Sequence, residues 1–305
     1  MISPTKGDGA LGRRDLLKGA ALAAGLGSLA AARQPSGQAM AAASLPEQPP
    51  LVDTNVHLFQ WPFRHLPDDR PERLINTLRS HGVTQAWAGS FEAVLHRDVQ
   101  GVNARLAEAC AAAPQLLLPF GTVNLSLPDW QEDLRRCHEE HRMPGIRLYP
   151  NYHGYSLADP QFTQVLALAT ARGLLVQLVV SLEDTRTQHP LLQVADVDLG
   201  PLAEQLQQVP DARLMLLNHR LRGEALARLL PLLGIHYDTA RVESTRGIAQ
   251  LARSASPQRV LFGSHAPFLI HRSALIKLAE TRLSDPELHA IGACNAQRLL
   301  PTAPA

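Results

Sequence analysis

Eight short apolar runs, each followed by a stretch with helical spacing, constrain this chain more than any other feature. They are 51–59 (LVDTNVHLF), 83–90 (VTQAWAGS), 116–124 (LLLPFGTVN), 145–150 (GIRLYP), 173–180 (GLLVQLVV), 212–219 (ARLMLLNH), 236–240 (HYDTA) and 259–265 (RVLFGSH). Between them apolar residues recur every three or four positions, as in Leu106, Ala109, Cys110 and Ala113, or Phe162, Val165, Leu166 and Ala169. Continuously apolar strands alternating with helices describe parallel strands covered by helices. Eight such units in about 250 residues predict an α/β chain folded as one (β/α)₈ barrel. A last helix over 285–300 would cap it. An open doubly wound sheet with a dinucleotide site needs a Gly-rich turn after its first strand. Here that strand runs into Gln60-Trp61-Pro62-Phe63-Arg64 instead.

The barrel occupies 51–305, and what precedes it has a different character. Lys6, Arg13, Arg14 and Lys18 lead into the weakly apolar run Gly19 to Ala32, with small residues at Ala41 to Ala43. Positive charge, a short apolar segment and small residues predict an export signal over 1–43. The pair Arg13-Arg14, followed by Asp15-Leu16-Leu17-Lys18, has the pattern of a bacterial twin-arginine signal. The run is shorter than the roughly 20 apolar residues a membrane span needs. Cleavage, a mature chain without a span, and a periplasmic or secreted location follow as expectations, with the export machinery as a partner. Residues 44–50 (SLPEQPP) read as a Pro-rich linker.

Loss of 1–43 removes five basic and two acidic side chains from the 29 and 28 present, leaving 24 and 26 and a formal charge of −2. There is no basic stripe, so nucleic acid is not expected as a partner and a small molecule is. Cys110, Cys137 and Cys294 are widely spaced and odd in number. They fit neither a zinc cluster nor a disulfide framework and are expected to be buried thiols.

In such a barrel the chemistry sits at the C-terminal ends of the strands. His57, His219 and His265 fall at the ends of strands one, six and eight, and Asp238 near the end of strand seven. These strands are consecutive around a closed circle, so the four side chains form one candidate catalytic arc. Tyr149, Tyr152 and Tyr155 crowd the segment after strand four, where they either wall a pocket or pack the barrel rim. Glu183, Asp184, Arg186 and His189 lie close together after strand five. They read equally as a substrate clamp, with Arg186 holding a carboxylate, Glu183 or Asp184 as acid, base or ligand and His189 beside them, or as an ion-pair network that ties the loop down.

The motifs V-D-T-N-V-H, G-I-R-L-Y-P, L-L-N-H, R-V-L-F-G-S-H-A-P-F and N-A-Q-R-L-L occur in that order from Val52 to Leu300. In this the chain resembles the amidohydrolase-related family of metal-dependent hydrolases, lactonases and decarboxylases. The resemblance implies a barrel with a metal held by His-x-His on strand one, a His on strand five and an Asp on strand eight. This chain has Asn55-Val56-His57, Val179 and His265 at those places, and Arg147 where some relatives carry a carbamylated Lys. Two alternatives follow. A single divalent ion such as zinc could sit on His57, His219 and His265. In a metal-free site His265 would act as base, with Arg147, Arg186 or Asn55 polarising a carbonyl or holding a carboxylate. The expected activity is hydrolysis of a small ester, lactone or amide. Decarboxylation, or ligand binding without catalysis, are the other readings.

Overall fold

The computed structural model describes residues 49–300, so the expected signal and most of the linker lie outside the described residues. The strands are β1 (Leu51–Leu58), β2 (Val83–Ser90), β3 (Leu117–Pro119) and β4 (Gly145–Leu148), then β5 (Leu175–Val179), β6 (Leu214–Leu217), β7 (Ile235–Asp238) and β8 (Val260–Leu261). Every ladder is parallel, β1-β2-β3 in one sheet and β4-β5-β6-β7-β8 in the other. Single parallel bridges, Gly121 to Ile146 and Val56 to Ala266, join the two sheets at both seams. The result is the expected (β/α)₈ barrel.

The helices are α1 (Pro71–Ser80), α2 (Val99–Ala111), α3 (Trp130–Glu139), the single turn α4 (Pro150–His153), α5 (Pro160–Ala171), α6 (Leu202–Gln208), α7 (Gly223–Ala227), α8 (Gly247–Ala255) and α9 (His271–Ala279). Local chemistry sets their starts. Pro occupies the first turn of α1 and α5, where its missing N–H costs nothing. The Asp98 carboxylate accepts from the Gly101 N–H at the start of α2. In place of one final helix there are two short ones, α10 (Asp285–His289) and α11 (Asn295–Leu299), joined by a π-turn over Ala290–Cys294. The Ser284–Glu287 capping box opens α10.

Two strands are shorter than their apolar runs. Pro119 has no N–H to donate, so β3 ends there and only Gly121 meets β4 again. After Leu261 the chain still follows β1, with Phe262 O accepting from Thr54 N, His265 N donating to Asn55 O and Ala266 O accepting from His57 N. Its regular ladder is lost because β1 slips register between Asp53 and Val56. The slip is a bulge. Val52 packs with the interior residues Trp87, Phe120, Leu175, Met215 and Leu261, whereas Val56 packs outward with Leu74 and Leu78 of α1.

All three cysteines are unpaired, and burial pushes the thiols of Cys110 and Cys137 up to about 12. Cys110 and Cys137 are buried, as expected, whereas Cys294 is only half-buried. Among the described residues no helix is long and apolar enough to cross a membrane.

Gly145 opens β4 where a Cβ would collide with the Leu175 carbonyl and lie 2.5 Å from the Phe120 ring. Gly145→Ala should therefore lower the unfolding free energy by about 1–3 kcal/mol. Gly292→Ala, whose new methyl would meet only Leu51 at 3.7 Å, should be near neutral. Urea unfolding of the two variants beside the parent checks this.

Candidate active site

The inward residues at the strand ends form one buried polar layer. Asn55, His57, Arg147, Gln177, Asn218, His219, Asp238 and His265 are each at most 1% exposed. Asn55 and His57 project inward from β1 because the bulge resets its alternation. Asn218 and His265 both have left-handed backbones, with φ of 57° and 58°. That conformation is uncommon for residues other than glycine and here turns each chain end over the barrel mouth.

Hydrogen bonds tie four of these residues into a chain. Asn55 Nδ2 donates to Asn218 Oδ1 at 2.8 Å and to Asp238 Oδ2 at 2.7 Å, while Asn218 N donates to Asp238 Oδ1 at 3.0 Å. His265 Nε2 donates to the Leu182 carbonyl at 2.8 Å, which leaves its Nδ1 to accept from Asn218 Nδ2 at 3.3 Å. His219 Nε2 donates to Asp238 O at 3.1 Å, and its Nδ1 has no partner.

Arg147 crosses the barrel interior. Its Nε donates to Gln177 Oε1 at 2.8 Å, Nη1 to Val56 O at 2.8 Å and Nη2 to Trp87 O at 3.1 Å. Nη1 also lies 3.2 Å from His57 Nε2. Gly89 makes room for the guanidinium, since a Cβ there would lie 2.6 Å from Nη1.

Burial sets the charge states. Asp238 is raised to about 7, chiefly by desolvation, against the pull of the Asn55 and Asn218 donors and of Lys277. Desolvation also lowers His219 to about 4 and His265 to about 3. His57 falls well below the ordinary histidine value through desolvation, then through Arg147 and His265. The three imidazoles are neutral at pH 7.

An aromatic roof closes the layer. Phe91 stacks on His57 at 4.7 Å and Phe268 on His265 at 5.2 Å. Trp61 packs against Phe91, Phe268 and Tyr152, and Arg64 lies 4.2 Å over the Phe268 ring. Arg64 also reaches Glu183 at 3.8 Å, and desolvation raises the Glu183 carboxyl. Tyr149 is buried 6.2 Å from the His57 ring, and Tyr152 is half-buried in the roof. On the outer side of Phe91 is a cleft of about 480 Å³ lined by Phe59, Asp69, Arg70, Glu92 and His96 among others.

The expected arc of His57, His219, Asp238 and His265 thus comes together, with Asn55, Arg147 and Tyr149 beside it and Glu183 above. Arg186 and His189 do not join it. Arg186 is 86% exposed and pairs with Asp184, which Arg220 and Arg241 also approach. His189 is exposed and leans on Phe63. This corrects the substrate-clamp expectation for Arg186 and His189, because Asp184 holds that part of the loop down as an ion-pair hub. Sequence reasoning missed Asn218, Gln177, Phe91 and Phe268. Asn218 adjoins His219 and was the most visible of them. It also missed a chain on the outer side of β1. There Asp53 faces His271 at 3.2 Å, and His271 Nδ1 meets His81 Nδ1 at 2.9 Å.

The donor set does not suit the single divalent ion expected on His57, His219 and His265. Both nitrogens of His265 are engaged, and His57 Nε2 faces a permanent cation 3.2 Å away. Among the described residues no three His, Cys, Asp or Glu side chains converge as ligands. A metal on His57 would sit against the guanidinium, at a Coulombic cost that burial magnifies.

Histidines lowered on folding contribute stability that is complete above about pH 6.5 and is lost as pH falls toward their folded values. For His219 the full loss, reached near pH 4, is on the order of 3 kcal/mol. The raised Asp238 works in the opposite sense, losing stability as pH rises from about 4 to about 7. Three histidines outweigh one carboxyl, so stability should fall from pH 6.5 to 4.5. His219→Gln should flatten that decline, as urea midpoints across the range will report.

A family model described as Amidohydrolase matches residues 52–302. No curated protein matches the sequence. Similar solved structures include a 2,6-dihydroxybenzoate decarboxylase from Rhizobium, 17% identical, with a TM-score of 0.65 over 81% of this chain and 98% of that one. A 5-carboxyvanillate decarboxylase from Sphingomonas paucimobilis is 14% identical, with a TM-score of 0.64 over 83% and 99%. A dihydroxybenzoic acid decarboxylase from Polaromonas, with bound manganese and 2-nitroresorcinol, is 14% identical, with a TM-score of 0.66 over 85% and 98%. These likenesses establish the fold. The family match over the whole barrel establishes membership: this chain belongs to the Amidohydrolase family.

Proposed function

We propose that this chain is an exported enzyme that removes CO₂ from a small, flat carboxylic acid without a bound metal. One observation carries the reading: the polar layer at the barrel mouth is buried from solvent and roofed by Trp61, Phe91, Tyr152 and Phe268. A carboxylate brought into such surroundings loses hydration, and its departure as neutral CO₂ relieves that penalty. Flat aromatic walls suit a ring. The decarboxylases among the similar structures point the same way.

In this reading the Asp238 carboxyl delivers its proton to the ring carbon that bears the carboxylate, while a conjugated phenolate oxygen pushes its electron pair into the ring and becomes a ketone. The bond to the carboxyl carbon then breaks, CO₂ leaves, and the electron pair of that bond restores the ring and returns the negative charge to the oxygen. Asp238 recovers its proton from solvent. The buried network from Asn55 and Asn218 holds Asp238 in place without supplying a competing charge. Substrate reaches the layer when the Phe91 ring, which borders both the cleft and His57, swings aside.

Hydrolysis of a small ester, lactone or amide is the second reading. It is favoured by the same Asp238, which when ionised would accept a proton from water. The two readings place Asp238 in opposite protonation states. Decarboxylation should slow as pH rises through about 7, and hydrolysis should speed up through the same value. The test is CO₂ release from a panel of hydroxylated benzoic acids, beside hydrolysis of simple lactones, from pH 5.5 to 8.5. Asp238→Asn should lower the true activity by about 10²–10⁴-fold. Turnover of lactones alone, on a rising limb, would replace the first reading with the second.

Export rests on the twin-arginine pattern. Replacing Arg13 and Arg14 together by Lys should keep the chain in the cytoplasm of a bacterial host, at its full uncleaved mass. Fractionation and intact-mass measurement check this.

A further inference from the structure

The decarboxylation reading needs a place for the negative charge that develops on the substrate oxygen. The buried polar layer contains hydrogen-bond donors with nothing to donate to. His57 Nε2 faces Arg147 Nη1 at 3.2 Å, and a guanidinium only donates. Nε2 must therefore be the accepting nitrogen, which puts the ring proton on Nδ1. That Nδ1 is fully buried and has no partner. The Tyr149 ring lies 6.2 Å from the His57 ring, and its buried O–H likewise finds no acceptor. Burial raises the phenol to about 12, against the pull of the neighbouring Arg147 guanidinium.

Two buried donors without acceptors are costly, at about 1–3 kcal/mol each. A chain that keeps both, next to a buried cation with no carboxylate bonded to it, is arranged for an anionic oxygen. The guanidinium gives three of its five N–H groups to Gln177 Oε1, Val56 O and Trp87 O, one faces His57 Nε2, and the Tyr149 oxygen lies within its reach. Its part is to orient. It holds His57 in a single tautomer and supplies positive potential behind it, in a space that Gly89 leaves open.

We propose that His57 Nδ1–H and Tyr149 O–H form an oxyanion site for a substrate phenolate or enolate oxygen, with Arg147 as the positioning residue that fixes the His57 tautomer. The site rests on the function proposed above only for the identity of its substrate. Any anionic oxygen on a flat ring should occupy it. Preorganised donors that meet developing charge away from solvent are worth far more than the same donors in water.

The test begins with the unaltered protein. ¹⁵N spectra of histidine-labelled chain should show His57 neutral with Nδ1 protonated from pH 6 to 8. The probe is 4-nitrophenol, whose absorbance separates phenol from phenolate. Bound probe should be phenolate at pH 6, where most of the free probe is protonated. Tyr149→Phe keeps the ring and removes the donor, and should weaken phenolate binding by about tenfold or more. Arg147→Met should release His57 from its single tautomer and weaken the probe similarly. If that variant does not fold, the parent spectra and Tyr149→Phe still decide the matter. A His57 protonated on Nε2, probe bound as the neutral phenol, or Tyr149→Phe binding as tightly as the parent would each overturn the site. So would displacement of the probe by one equivalent of zinc or manganese. The two proposals fail separately. Phenolate binding with the expected tautomer but no CO₂ release from any acid removes the function and leaves the site. CO₂ release without phenolate preference does the reverse.

Discussion

The guanidinium of Arg147 is the interaction on which the rest of the barrel mouth depends. It leaves β4, crosses the interior and bonds to the β1 backbone at Val56, the β2 backbone at Trp87 and the β5 side chain of Gln177. One side chain thereby braces four of the eight strands. No carboxylate is bonded to it, so its stability in the interior rests on fixed carbonyl dipoles. Gln177 extends the brace by donating to Thr54 O on β1. Removing such a group leaves several acceptors unpaired at once, which is why it cannot be treated as a surface charge.

That brace also decides the chemistry available next to it. Burial keeps the His57 imidazole neutral, and a permanent cation 3.2 Å from its Nε2 adds to that and makes it a poor metal ligand. Around the circle, burial holds Asp238 near 7 against the pull of its amide donors, while His265 spends both nitrogens on Leu182 and Asn218. The family's barrel is kept, and its polar mouth is rebuilt from side chains that hold one another.

The bulge in β1 connects the two sides of the barrel wall. It turns Asn55 and His57 inward while leaving Asp53 outward, where its Oδ1 accepts from the Asn55 and Ser264 amides and its Oδ2 faces His271. The same carboxylate therefore fixes the backbone from which Asn55 projects and faces the first residue of α9. A sequence reader sees V-D-T-N-V-H as a simple alternation and would place Asp53 and Asn55 on one face. The slip in register separates them.

Much of this protein was legible in its residues. Eight apolar runs at regular spacing determine the barrel, because parallel strands buried on both faces need continuous hydrophobicity and their covering helices need the 3.6-residue period. The positions of His57, His219, Asp238 and His265 at strand ends followed from that topology alone. What only the tertiary structure decided was which partners those groups meet. Whether Arg147 faces a substrate or a ring of carbonyls, whether Arg186 reaches the pocket or solvent, and whether His265 has a free nitrogen all depend on contacts between residues far apart in the chain. Periodicity carries the pattern of burial, a local property. Hydrogen-bond pairing across a barrel is set by register, bulges and loop packing, and none of these has a signature in a single stretch of sequence.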